Sequence, residues 1–357
     1  MQSPHPQKIP YQKPYKSSAD LCVMLQNQGL AIGDIPLAKK TLDNCSYYRF
    51  KAYLFPLKNH ATKQYNPNST FEDGLELYEF DDELRFYLFK LIAKVEVGVR
   101  SVLDQWITKE TNNSFWYLDS SLFKDNGTQI KTVNQVRGMF VESKEEFAKH
   151  YSAKYYNDYC PFHRDLPPGW VALELMTFGN VLSLMNSFSD ASIQSLKLNR
   201  FAKKKLNVEK FTTLCNWMEA VRQVRNACGH HNRLFNRNLA APNGIKKYLQ
   251  SAIQLVKTRQ NQSRVQDQLN RLYTNTAAIQ VLLEALGHEE KIGNKINTLF
   301  SMYPKAWYFH ESMGIPSGWR QETLLFRPHT SQANVSGSSP LDISLFNKIK
   351  RLFTRRT

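Results

Sequence analysis

Apolar residues recur at helical spacing along most of the chain. Between Phe71 and about Thr108, the residues Leu77, Leu84, Leu88, Leu91, Val95 and Val102 are separated by seven, four, three, four and seven positions. A stripe of that kind is one face of a long bundle helix. A second helix pattern runs from about Val208 to about His230, with Phe211, Leu214, Met218 and Val221 on one face. The Pro167-Pro168-Gly169 break is followed by WVALELMTFGNVLSLMNSF, which reads as one apolar helix. Residues 131–160 read as another, more charged helical stretch.

Nearer the start, Ser17, Ser18 and Asp20 offer caps for a short helix that Gly29 ends, and a second short helix covers Ile35 to Asn44. The aromatic, basic run Tyr47–Lys58 alternates poorly and reads as a helix or a buried loop. Residues 59–70 read as a loop. No segment combines strand alternation with a hairpin turn, and no internal repeat is visible. The expected fold class is all-α, a helical bundle with additional N- and C-terminal helices.

Composition supports a real core, with 42% hydrophobic and 12% aromatic residues. It excludes a wholly disordered chain, a collagen-like repeat and a disulfide-dense miniprotein. Charge changes the picture more. Lys and Arg number 47 against 31 Asp and Glu, a formal net charge of +16. That surplus favours polyanionic partners, nucleic acid first and anionic membrane second.

No stretch approaches the roughly 20 apolar residues of a membrane span, and no secretory apolar core is present. Cys22, Cys45, Cys160, Cys215 and Cys228 are scattered without C-x-x-C spacing, which fits a reducing cytoplasm. No zinc quartet, P-loop or dinucleotide-binding glycine pattern occurs, so no metal and no cofactor is expected. The organisation reads as a basic flexible arm (1–16), an N-terminal helical and aromatic segment (17–70), a main helical domain (71–327), a linker (328–340) and a basic amphipathic tail (341–357).

The chemistry concentrates in RQVRNACGHHNRLFNR, residues 222–237. Extending the apolar face of that helix by four from Val221 reaches Arg225, where the pattern asks for an apolar side chain. A guanidinium there is costly unless it meets an anion. Asn226 and His230 are four apart and share another face, while Gly229 weakens the helix just before His230 and His231. A fixed cation, an amide and one or two imidazoles thus fall within about a turn. This set suits cleavage of RNA by its own 2′-hydroxyl. A base takes the 2′-OH proton, an acid protonates the departing 5′-oxygen, and a cation holds the phosphorane charge. One helix supplies one set, and a complete site needs a second copy, most simply across a C2 dimer. The alternative from spacing alone is a helix C-terminus whose His230, His231 and Arg233 complement the dipole.

The block RNACGHHNRLFNR (Arg225–Arg237) resembles the signature of Abi-like abortive-infection proteins of the AbiD/AbiF type, in the HEPN superfamily, whose hallmark is R-x(4–6)-H. Arg225, Asn226 and His230 match it with four intervening residues, and His231 also falls within the spacing. Leu25–Leu57, Phe71–Leu103 and Leu166–Leu184 resemble further family segments in the same order. The resemblance implies an all-α endoribonuclease of phage defence or toxin-like growth arrest, dimerising to join two motifs. It also implies a structured non-coding RNA as a plausible bound partner, in the bacterial cytoplasm. On it, His230 is the general acid or base, Arg225 the phosphate clamp and Asn226 the orienting amide. His231 is the second candidate for catalysis or an RNA contact, and Arg222 supports the site.

Glu96, Arg100 and Glu174 read as a structural polar network, since buried charges are normally paired. Trp170 and Phe178-Gly179 read as packing rather than base stacking. RNA contacts are expected from Lys203, Lys204 and Lys205, from Arg222, Arg233 and Arg237, and from Arg49 and Lys51 within an aromatic run (Tyr47, Tyr48, Tyr53) able to stack bases. The competing function is a non-catalytic RNA-binding scaffold that forms a stable ribonucleoprotein. The tail is expected to be solvated or to touch RNA, without stable membrane insertion.

Overall fold

The chain is seen in a computed structural model whose described residues are 10–12, 14–124, 126–260 and 264–326. The linker, the tail and most of the N-terminal arm named above lie outside them. The element that organises the fold is a 41-residue helix, α4. Three short helices precede it: α1 (Ser18–Asn27), α2 (Ile35–Cys45) and α3 (Tyr47–Leu54). Then comes α4 (Phe71–Thr111) itself, followed by α5 (Asn126–Val141), α6 (Glu146–Lys154), α7 (Gly169–Leu175) and α8 (Phe178–Ser187). After α9 (Asp190–Ser195) and α10 (Leu198–Leu206) comes the motif helix α11 (Phe211–Gly229). The hairpin β1 (Lys257–Gln260) and β2 (Arg264–Asp267) leads into α12 (Leu272–Ala285), α13 (Ile292–Met302) and α14 (Pro304–Trp307). The all-α expectation holds.

Helix α4 starts where its sequence says it should. Thr70 and Asp73 form a reciprocal capping box, which satisfies two amides that the helix start leaves unpaired. Of its stripe, Leu77, Leu84, Leu88, Leu91 and Val95 are buried and Val102 is half-buried. They meet α7, α11, α12 and α13, so α4 is the axis of the main core. Leu286, just past α12, comes so close that a Cβ on Gly98 would lie 2.7 Å from it. The N-terminal segment packs on the start of α4, with Phe50 stacked on Phe71 at 4.6 Å between ring centroids.

Helix α11 packs on α4, α8, α10 and α12. It buries Phe211, Leu214, Trp217, Met218, Val221 and Val224. Each such side chain contributes about 1.5–3 kcal/mol by leaving water, so the motif at its C-terminal end sits on a rigid support.

Three sequence expectations are corrected. The apolar run after Pro168 is two helices, because Thr177 and Asn180 form a capping box that starts α8 and leaves Met176 extended. The stretch 131–160 starts earlier as α5 and ends early, since Tyr155 is extended and buried Asn157 accepts from the amides of Tyr159 and Cys160. A hairpin does exist. Its strands, KTRQ and RVQD, are short and polar, so no apolar alternation marked them. Among the described residues no helix is long and apolar enough to cross a membrane.

Candidate functional site

Helix α11 ends in a cap that fixes both histidines. The His231 amide donates to the Cys228 carbonyl (3.0 Å) and the Asn232 amide to the Ala227 carbonyl (2.8 Å), the paired bonds of a Schellman motif. The His230 amide donates to the Asn226 carbonyl at 3.0 Å. His231 takes the left-handed position, φ +54°, which glycine usually fills. Its ring therefore leaves the helix direction, and both imidazoles are exposed.

The chain beyond the cap is held from below. Buried Asp81 on α4 accepts from the amides of Leu234 (3.1 Å) and Phe235, from the Tyr53 hydroxyl (2.6 Å) and from Arg85. Four donors around one carboxylate, two of them joined to each other by the Arg85–Tyr53 bond, offset the cost of burying it. From α3, Arg49 donates to the His231 carbonyl, and Arg233 returns a bond to the Ala52 carbonyl at 2.8 Å. The loop carrying His230 and His231 is thereby tied to α3 and α4 at once.

Arg225 finds its anion. Its Nε lies 3.7 Å from Glu96 Oε2, and its guanidinium lies 5.8 Å from the centroid of the Phe89 ring. Glu96 also accepts from Arg100, whose other N–H reaches the Leu173 carbonyl at 3.3 Å. Two guanidiniums thus share one carboxylate, which leaves a net positive charge beside the exposed histidines. Gly229 permits the approach, since a Cβ there would lie 3.3 Å from the Phe89 ring. Asn226 is half-buried on the neighbouring face. Glu96 and Arg100 form the expected pair, but Glu174 is exposed on α7 and stands outside it.

The expected RNA contacts scatter. Arg49 and Arg233 are spent on holding the motif loop. Tyr53 is buried on Asp81 and cannot stack a base, whereas Tyr48 is 80% exposed, with the Lys51 ammonium 4.5 Å above its ring. Lys203, Lys204 and Lys205 are exposed at the end of α10, beside the start of α11. A rise of about 1.5 Å per residue separates the ends of the Phe211–Arg225 stretch by about 21 Å, so these lysines and the motif occupy opposite ends of the helix. Arg222 is paired with Glu219 at 2.8 Å, and Arg237 is exposed. Phe178 packs as expected, while Trp170 is 53% exposed.

Asp81 and Arg85 were not singled out from sequence, though an Asp–Arg pair four apart beside an apolar stripe is a legible sign of a buried ion pair. Among the described residues no group of three His, Cys, Asp or Glu side chains could hold a metal.

A helical protein whose central helix pairs Arg225 with Glu96 and presents two histidines on a fixed cap is the class defined here. The Abi-like protein family profile matches residues 40–236, more than half of the chain. The chain belongs to the Abi-like family. The match takes in α4, the whole Arg225–His231 motif and Arg233, and stops one residue short of Arg237. No curated protein and no solved structure matches the chain. Family membership points to abortive infection, a phage-defence role.

Proposed function

We propose that the protein is an endoribonuclease of the HEPN type, acting as the effector of abortive infection with a composite site in a homodimer. The carrying observation is the Arg225–His231 constellation: a guanidinium over-supplied with positive charge, beside two exposed imidazoles on a pinned loop. In the reaction, one histidine takes the proton from a ribose 2′-OH. The 2′-oxygen attacks phosphorus, the P–O5′ bond breaks, and an imidazolium protonates the departing 5′-oxygen. Arg225 holds the charge that grows on the non-bridging oxygens. Base and acid roles fall to His230 of the two chains, with His231 the second candidate and Asn226 the orienting amide. RNA is the substrate, and a structured non-coding RNA is a partner that the +16 charge favours.

A dimer surface is supported beside the motif. Phe86, Phe89, Ala93 and Val97 are spaced by three, four and four along α4 and are all exposed, Phe86 at 76%. That stripe flanks Glu96 and suits a second copy, which would bring the two motifs together. Phe86→Asp is the test: light scattering should show monomers, and RNA cleavage should vanish in a chain that stays folded. A dimer that survives and cleaves RNA would sink the composite site. The scaffold reading differs in one outcome, since it expects RNA binding without cleavage in the wild type.

A further inference from the structure

A polar groove of about 700 Å³ opens between α5, the length of α8 and the face of α11 that carries Arg222. Its volume falls within the roughly 300–1,000 Å³ of ligand clefts. Its charge is lopsided. Lys124, Lys131 and Arg222 line it against one carboxylate, Glu219, which Arg222 holds through both of its oxygens at 2.8 and 2.5 Å. Among the described residues neither Lys124 nor Lys131 has an acid partner, so the groove keeps two unspent positive charges.

The neutral lining is as telling. Lys131 and Gln135 are four apart on α5 and face the groove together. Gln135 accepts from Asn180 at the α8 start, which leaves the Gln135 NH₂ to donate. Among the described residues no aromatic side chain lines the groove, so none of them stacks a base there. Cations plus amide donors without aromatic platforms fit a phosphodiester backbone and its 2′-hydroxyls rather than nucleobases.

Position links the groove to the motif. Arg222 and Asn226 are four apart on α11 and share a face, so the groove ends one helical turn from the proposed reaction centre. We propose that this groove is a backbone track that holds a single-stranded RNA segment flanking the scissile bond and leads it to Arg225 and His230. The proposal rests on the ribonuclease reading above and adds to it a binding surface separate from the Lys203–Lys205 run. It implies weak sequence preference within the track.

The test is fluorescence anisotropy with labelled 12-nucleotide poly-U and poly-A, using the full-length chain carrying His230→Ala so that the probe survives. Adding Lys124→Gln and Lys131→Gln should weaken binding about tenfold at physiological salt. The log–log salt slope should become shallower by about 1.4, at roughly 0.7 per single-strand phosphate contact. The Lys124→Arg, Lys131→Arg variant should bind normally, and both oligonucleotides should respond alike. Unchanged affinity and slope in the Gln pair, with RNA binding intact in its parent, would overturn the track alone. Loss of RNA binding in the parent itself would overturn the track and the ribonuclease reading together. Displacement of RNA by an equal concentration of inorganic phosphate would reduce the groove to a single-anion site and also overturn the track.

Discussion

Arg225 of the motif helix faces Glu96 of α4 across 3.7 Å, and that contact joins the two longest helices of the fold at the candidate site. The energetic weight falls on Glu96 rather than on Arg225. Arg100, the other partner of Glu96, is 11% exposed, while Arg225 is 36% exposed. Glu96→Gln should therefore cost about 1–3 kcal/mol by leaving a nearly buried guanidinium short of its charged acceptor. Arg225→Ala should cost under about 1 kcal/mol, as expected for a partly solvated pair. Urea unfolding of the two variants gives the comparison, and equal losses would contradict this ordering.

Asp81 is the anchor of the motif loop. Asp81→Asn keeps the shape but presents an amide where four donors converge, and it leaves Arg85, which is 3% exposed, with only the solvent-exposed Asp82 as a charged partner. A loss of about 3–5 kcal/mol is expected, as for breaking any buried ion pair from one side. Tyr53→Phe removes one bond to the same carboxylate and should cost about 1 kcal/mol. Denaturant midpoints that fall alike for both variants would refute the central place given to Asp81.

His231 occupies a left-handed backbone position, φ +54°. A non-glycine residue there costs roughly 1 kcal/mol. His231→Gly should leave the melting temperature unchanged or raise it, and should keep RNA cleavage if His230 is the reacting imidazole. A collapse of cleavage in the Gly variant, with stability retained, would transfer the catalytic role to His231.

Burial pushes the thiols of Cys215 and Cys228 up to about 12, with the Asp81 carboxylate adding to the effect at Cys228. A raised value keeps a thiol protonated, so at pH 8 its thiolate fraction is about 10⁻⁴, against roughly a quarter for an ordinary cysteine. Iodoacetamide at pH 8 should leave both unlabelled in the folded chain and label them on unfolding. Peptide mass spectrometry reads this directly, and prompt labelling of Cys228 would show that the motif helix opens far more readily than its packing implies.

Much of the fold was legible because helical stripes are periodic. Leu77 to Val95 gave α4, and Phe211 to Val221 gave α11 with bounds within three residues of those seen. The motif residues were legible as a polar set at the end of an apolar helix, and the need of Arg225 for an anion was legible too. Which anion it meets was not, because Glu96 lies more than a hundred positions away and no local spacing connects them. The cap misled in a simple way: Gly229 marks the end of the helix, yet the left-handed residue is His231, two positions later. The lysine run 203–205 is near the motif in sequence only until a 19-residue helix is laid between them. Tyr53 looked like a stacking residue, since an aromatic in a basic run has the same appearance whether it meets a base or a buried aspartate.

The most direct measurement is cleavage of a labelled single-stranded RNA by the purified full-length chain, with product ends mapped. The wild type should yield 2′,3′-cyclic phosphate and 5′-hydroxyl ends. His230→Ala and Arg225→Ala should each lose at least about a hundredfold in rate, as removal of an acid–base group or a charge stabiliser does, while still binding the RNA. Cleavage that persists at the wild-type rate in His230→Ala and His231→Ala together, or a wild type that binds RNA and never cuts it, would contradict the account.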